Sequence, residues 1–286
     1  TVRRNGTIVY TYSNVESARN LVLLGTASGD TIALHAAAGG RYAVSGAGTF
    51  GTVTFDTPDT LAIQAGAGDD EIDVADVGGA TADAPFAPAL SLSGGEGEDA
   101  LVLGDGWFAA VAFSADIEDI DAGTATIGDL TFGAQPSIAN RVHVYRWDPG
   151  TITIVDDTDI RTNIVTFKDP TSSLTIDTGY HIQGSTEYIH VGQMPGDPGT
   201  VRPLGSFSAD LNLSGGSLNK NLDGNDSVVF YGDLLLTGYA LSVAADTITV
   251  ASGVTVSTSD AAGAAGDITF EGHHIALEAG AALLAE

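Results

Sequence analysis

Apolar residues in this chain come in short alternating bursts. Thr31-Ile32-Ala33-Leu34, Thr52-Val53-Thr54-Phe55, Leu90-Ser91-Leu92 and Thr247-Ile248-Thr249-Val250 each place an apolar side chain at every second position, bounded by Gly, Asp, Asn or Ser. A period of two over three to six residues predicts half-buried β-strands joined by tight turns. Helical periodicity of useful length is missing, because the Ala-rich pieces at 36–38 and 261–265 are interrupted by Gly. Glycine fills 37 of 286 positions, nearly double its usual share of about 7%, which points to many turns.

Aligning the Asp residues brings out a repeat of the form Asp, any residue, apolar, any residue, apolar. It occurs at Asp30 to Leu34, Asp59 to Ile63, Asp70 to Val74, Asp99 to Leu103, Asp226 to Phe230 and Asp246 to Val250. An Asp side chain that closes a turn on nearby backbone N–H groups, followed by a strand with alternate inward side chains, explains the pattern. The intervals Asp30 to Asp59, Asp70 to Asp99 and Asp226 to Asp246 match the length of one coil of a β-helix. Such a unit is stable only as an array, with its neighbours burying a continuous core. The expected fold is therefore all-β, a parallel β-solenoid with an irregular middle section. An immunoglobulin-type sandwich, with similar short strands, is the structural rival.

The middle differs in composition. Between 141 and 205 lie Arg141, Arg146, Arg161, Lys168 and Arg202, half of the ten basic residues, together with His143, His181, His190 and five prolines. Segments 1–140 and 206–286 read as solenoid, and 141–205 as a subdomain, a set of inserted loops or an interface. Tyr145, Trp147, Tyr180 and Tyr188 in that stretch could form a sugar-stacking platform, with Arg146 or Asp148 bonding hydroxyls, or could fill a core.

Charge narrows the function classes. Ten Lys and Arg against 37 Asp and Glu give a formal charge of −27, which repels phosphate backbones and anionic lipid and argues against nucleic-acid binding and membrane insertion. The 43% hydrophobic content supplies a core, so the acidity does not imply disorder. Carboxylates in such excess suit divalent cations or a cation-rich outside environment. No cysteine is present, which removes disulfide and thiolate chemistry. No apolar run reaches the ~20 residues that cross a bilayer, and with Thr1 first and no signal peptide the chain reads as a piece of something longer.

The sharpest motif is Gly94-Gly95-Glu96-Gly97-Glu98-Asp99-Ala100-Leu101, a glycine-rich nonapeptide of the form Gly-Gly-x-Gly-x-Asp-x-apolar, followed in quality by Ala65-Gly66-Ala67-Gly68-Asp69-Asp70-Glu71-Ile72. Glycines permit the turn, and carbonyls with the Asp carboxylate could reach one hard cation; the alternative is a plain turn. These residues resemble the calcium-binding repeats of the repeats-in-toxin family of secreted bacterial proteins. The resemblance implies calcium as cofactor, with Gly66, Gly68, Asp70, Gly95, Gly97 and Asp99 as ligand-bearing positions. The two copies stand 29 residues apart instead of nine, so no unbroken roll is expected and each site would lack its adjacent half. The run from Asp246 to Glu286 is similar in style to the β-helical arrays of large bacterial adhesins and filamentous-haemagglutinin-like proteins.

The expected function is that of a non-catalytic structural or adhesive segment of an extracellular or cell-surface bacterial protein, rigidified by calcium and partnered by glycans or a host surface. A subunit of a filament or surface layer, self-associating end to end, is the nearest alternative, and a β-helical polysaccharide-active enzyme the third. The acidic pairs Asp69 with Asp70, Glu118 with Asp119 and Asp156 with Asp157 fall on adjacent residues, which point to opposite faces of a strand and share no site. His273 and His274 beside Glu271 lack a third metal ligand, so no catalytic residue is assigned. No nucleophile elbow, phosphate loop or dinucleotide fingerprint is present.

Overall fold

The structure, a computed structural model, describes residues 20–285 apart from 48–49, 75–76, 78–84, 115, 123–124, 134–140, 158–161, 179–185, 198, 216–225 and 260–264. It is all-β, with no helix among the described residues. The chain divides into two compact units, Thr1–Gly128 and Asp129–Glu286.

The first unit holds β1 (Asn20–Leu24), β2 (Thr31–Ala37), β3 (Arg41–Ala47), β4 (Phe50–Phe55), β5 (Thr60–Ala67), β6 (Glu71–Val74), β7 (Phe86–Glu96), β8 (Ala100–Leu103), β9 (Trp107–Ser114) and β10 (Asp119–Ala122). Strands β1, β5, β7 and β9 are parallel neighbours in one sheet, and β2, β6, β8 and β10 in another. From β5 to β10 the chain alternates between the two sheets. The hairpin strands β3 and β4 extend the second sheet antiparallel from β2.

The second unit begins within β11 (Thr126–Gly133) and continues with β12 (Arg141–Asp148), β13 (Thr151–Asp157), β14 (Thr162–Lys168), β15 (Ser173–Asp177), β16 (Tyr188–Val191), β17 (Gly205–Phe207), β18 (Asp210–Ser214), β19 (Ser227–Phe230), β20 (Leu234–Leu236), β21 (Leu241–Ala244), β22 (Thr247–Val250), β23 (Thr255–Ser257), β24 (Ile268–Glu271), β25 (His274–Leu277) and β26 (Ala282–Leu284). Three parallel sheets run through it, of order β11-β15-β18-β21-β24, β12-β16-β19-β22-β25 and β17-β20-β23-β26. From β15 to β26 the chain visits them in the same rotation four times. Here too an antiparallel hairpin, β13 and β14, extends one sheet from its first strand, β12. The segment 141–205 thus contributes parallel strands to both main sheets as well as the hairpin.

All six Asp-led strands form, each opening one residue after its Asp. Alternation sets which side chains go inward: Ile32, Leu34, Ile72, Val74, Leu101 and Leu103 are at most 1% exposed. Pairing in register stacks like upon like, with Ile189 beside Val228, then Ile248 and Ile275. Parallel pairing in register turns each inward position into an apolar row, so strands inside a sheet bury their alternate side chains against two neighbours. One expected interval does not hold. Asp59 is exposed and opens a strand of the other sheet, while the parallel neighbour of the Asp30 strand opens at Asp70, 40 residues on, because the β3–β4 hairpin lies between.

Phe230 is fully buried between rows and stacks on Phe270 with ring centroids 6.1 Å apart. Phe230→Ala removes that packing and is expected to cost about 3–5 kcal/mol, read as a lower denaturant midpoint with unchanged slope.

Candidate functional site: stacked acidic turns and an aromatic outer face

The glycine-rich turns of the first unit lie directly on one another. Gly66 and Ala67 pair with Gly95 and Glu96 in register, so the 29-residue spacing that seemed to separate the two motifs is what makes them neighbours. The turn ending in Asp30 joins the same stack, since Ala67 N–H donates to the Thr26 carbonyl at 3.1 Å. Backbones approach so closely that a Cβ on Gly95, whose φ is +120°, would fall 1.7 Å from the Gly66 carbonyl oxygen. No other residue fits there without displacing the turn.

The Asp residues that close these turns form a second ladder. Asp30 N–H donates to Asp70 Oδ1 at 2.6 Å, Asp70 N–H to Asp99 Oδ1 at 2.8 Å, and Asp99 N–H to Glu118 Oε2 at 2.7 Å. The carbonyls of Asp30 and Asp70 accept from Glu71 and Ala100, both at 2.8 Å, which starts the ordinary strand pairing. At the corner, where backbone geometry leaves an N–H without a carbonyl, the neighbouring side chain supplies the acceptor. Thr26 N–H adds a closing bond to Asp30 Oδ2 at 2.6 Å, and Asp116 accepts from Gly94 N–H and Ser93 Oγ–H.

The second unit repeats the device with different residues. Glu187 N–H donates to Asp226 Oδ1 at 3.3 Å and Asp226 N–H to Asp246 Oδ2 at 3.2 Å, while His273 places Nδ1 3.2 Å from Asp246 Oδ1. Asp30, Asp70, Asp99, Glu187, Asp226 and Asp246 are all buried. Asp69, by contrast, is exposed beside buried Asp70, as expected of adjacent residues at a strand start.

Burial has an electrostatic cost. It pushes the Asp99 carboxyl up to about 6, with the Asp70, Glu118 and Asp116 carboxylates adding to the rise. Asp70 is raised by burial and by Asp30 and Asp69, against the lowering by its backbone hydrogen bond. Asp70 Oδ2 and Asp99 Oδ2 are buried with no hydrogen-bond partner. A hard cation or a proton would satisfy them. Among the described residues no group of three or more His, Asp or Glu side chains is arranged to hold a metal, so a cation here would draw its remaining ligands from turn carbonyls such as those of Gly66, Gly68, Gly95 and Gly97.

The aromatic residues occupy the face of β12 and β16 opposite Val142 and Val144. Trp147 is 52% exposed and Tyr145 is buried with its ring 6.4 Å away. Tyr188 is half-buried and packs on His190, which meets His143 at 4.8 Å and Tyr231 at 5.2 Å, both edge to face. Tyr180 lies outside the described residues. Arg146, named as a hydroxyl donor, is instead bound to both carboxylate oxygens of Asp169, at 2.8 and 3.0 Å, and to the Leu204 carbonyl at 2.8 Å. Gln193 and Arg202 reach over this face: the Gln193 carbonyl lies 3.1 Å from His143 Nδ1, and the Arg202 guanidinium sits 4.6 Å over the Trp147 ring. Burial, with His143 and Arg141 nearby, lowers His190 to about 4, so its ring is neutral at neutral pH.

No family model, curated protein or solved structure matches this chain. Its residues must speak for themselves. The Gly and Asp positions were legible from the motif. Glu118, Glu187 and Arg202 were not, since a Glu in place of Asp breaks the pattern and a loop Arg carries no spacing signal.

Two outcomes test the stacked turns. Asp99 holds its proton more tightly folded, at about 6, than unfolded, where an Asp titrates near ~3.9. Stability should therefore rise as pH falls from 7.5 through 6 towards 4. Thermal melts of Asp99→Asn, which keeps the acceptor and removes the charge, should show a clearly smaller rise over that range. Gly95→Ala should lower the midpoint by several degrees at every pH, from backbone strain of about 1–3 kcal/mol and the carbonyl clash.

Proposed function

We propose that the chain is a non-catalytic structural segment of an extracellular bacterial surface protein, built as a parallel β-solenoid and rigidified by calcium at its glycine-rich turns. The observation that carries the reading is the register of those turns: Thr26, Gly66 and Gly95 stack, and Asp30, Asp70 and Asp99 bond in series above Glu118. Strands that revisit the same sheets in fixed rotation, with side chains stacked like on like, are what coil upon coil of a solenoid requires. Such a body is stiff along its stack and suits spacing or presenting a binding region. The resemblance to repeats-in-toxin turns and the charge of −27 support a location outside the cell.

Calcium enters through the two unpartnered buried oxygens, Asp70 Oδ2 and Asp99 Oδ2, on consecutive stacked turns. A cation bound only by the folded form stabilises it by about 2.7 kcal/mol at a hundredfold excess over Kd. Millimolar calcium after EDTA treatment at pH 7.5 should raise the unfolding midpoint by several degrees, and Asp70→Asn with Asp99→Asn should remove the rise. An unchanged midpoint would leave a scaffold whose turns are held by hydrogen bonds alone.

A second reading, end-to-end assembly, draws on β25. Ile275 and Leu277 are 46% and 50% exposed, whereas their in-register neighbours Ile248 and Val250 are fully buried. An open strand edge with apolar side chains invites strand addition. Sedimentation velocity across a hundredfold concentration range should then show growing species, and Ile275→Lys should abolish them.

A further inference from the structure

The outer face of β12 and β16 carries a charge arrangement that the scaffold reading does not use. Four arginines lie among the described residues. Arg41 pairs with Asp56 at 2.8 Å and Arg146 with Asp169. Arg141 and Arg202 have no carboxylate within ion-pair distance among the described residues, although the chain holds 37 acidic residues against ten basic ones. Arg202 is held by the Trp147 ring and carbonyl, the latter at 3.1 Å, and by Met194 Sδ at 3.0 Å. Arg141 is exposed at the start of β12, in register with Tyr188.

These two guanidinium groups mark the ends of one strand. Arg141 and Trp147 are six residues apart on the same face of β12, a distance of about 20 Å. Between them lie Tyr145 and the His143–His190 pair, with Tyr145 and His143 buried, while Tyr188 stands beside Arg141. The strip therefore has a cation at each end and aromatic or imidazole rings along its length. The rings at its two ends are open, with Trp147 52% exposed and Tyr188 half-buried.

From this geometry we infer that the outer face of β12 and β16 binds a linear anionic carbohydrate, with Trp147 and Tyr188 stacking on sugar rings and Arg202 and Arg141 pairing with acid groups. Aromatic rings offer a flat apolar face to the C–H side of a sugar, and a guanidinium matches a carboxylate or sulfate through two parallel N–H bonds. An acidic peptide fits less well. Strand β12 is bonded on both sides, to β13 and β16, so no free backbone edge is present for strand addition. Met194 and the Trp147 carbonyl position the Arg202 side chain, holding its guanidinium over the indole.

The inference concerns the second unit alone and does not depend on calcium. Isothermal titration of the full chain at physiological ionic strength uses three hexasaccharide probes, an oligouronate, a sulfated oligosaccharide and a neutral glucan, with a hexaglutamate peptide alongside. The expected result is binding of one or both acidic sugars, with the neutral glucan and the peptide at least tenfold weaker. The preferred acidic sugar then shows whether carboxylate or sulfate is the native acid group. Arg202→Gln and Arg141→Gln should each weaken that binding about tenfold, the size of one charge-assisted hydrogen bond. Trp147→Ala should lose it, and Trp147→Phe should keep part of it, with melting curves confirming that each variant is folded. Equal affinity for neutral and acidic sugars, equal or stronger binding of the peptide, no binding at millimolar sugar, or indifference to both Arg substitutions would each overturn the inference. None of these would alter the calcium-dependent melting that tests the scaffold.

Discussion

Each corner of a parallel sheet structure poses one problem that strands do not: where the chain turns, an N–H points at the neighbouring turn and finds no carbonyl in the strand pattern. In this chain a buried carboxylate one turn along accepts that N–H, and it does so in series from Asp30 to Asp70 to Asp99 to Glu118. The next N–H then meets an ordinary carbonyl, as Glu71 meets Asp30 and Ala100 meets Asp70. Register in the whole sheet follows from this start, because the side-chain period is two and a slip of one residue would turn every apolar row outward.

The same device imposes its own electrostatic strain. Carboxylates stacked one per turn repel one another, and burial removes the water that would screen them. Each gains a hydrogen bond from a backbone N–H, yet Asp99 still rises to about 6 and two oxygens keep no partner. The column is thus firm in position and unfavourable in charge, a combination that any neutralising species, proton or cation, relieves. The second unit meets the same demand in part with a histidine, His273, whose Nδ1 lies against Asp246 Oδ1. One corner geometry has been solved with different residue types, which is why the pattern fades towards the C-terminal half of the sequence.

That variation explains what the sequence reveals and what it hides. The strands after Asp30, Asp70, Asp99, Asp226 and Asp246 are legible because a single residue type marks the corner and alternation marks the strand. The stacking partners are not, since the β3–β4 hairpin inserts residues between Asp30 and Asp70 and makes Asp59 look like the next repeat. Glu118 accepts the corner N–H of Asp99 with a carboxylate one methylene longer, and Glu187 stands where the ladder would have an Asp and donates its N–H to Asp226, so neither shows in the Asp motif. On the outer face, Trp147 and the tyrosines stand out by residue type. Arg202 does not, for it reaches Trp147 from a loop 55 residues later.

The two faces of the β12 sheet show how one strand serves two ends. Val142 and Val144 are fully buried on the inner side, so β12 is fixed by the apolar rows. Its other side chains are then free to be chosen for something besides packing. Arg141 has no carboxylate within ion-pair distance among the described residues, in a chain with 37 acidic residues. An exposed ion pair contributes only about 0–1 kcal/mol, so its absence costs the fold little. A guanidinium left open therefore remains available to an outside anion, and the rigid strand beneath it holds that charge at a fixed distance from Trp147.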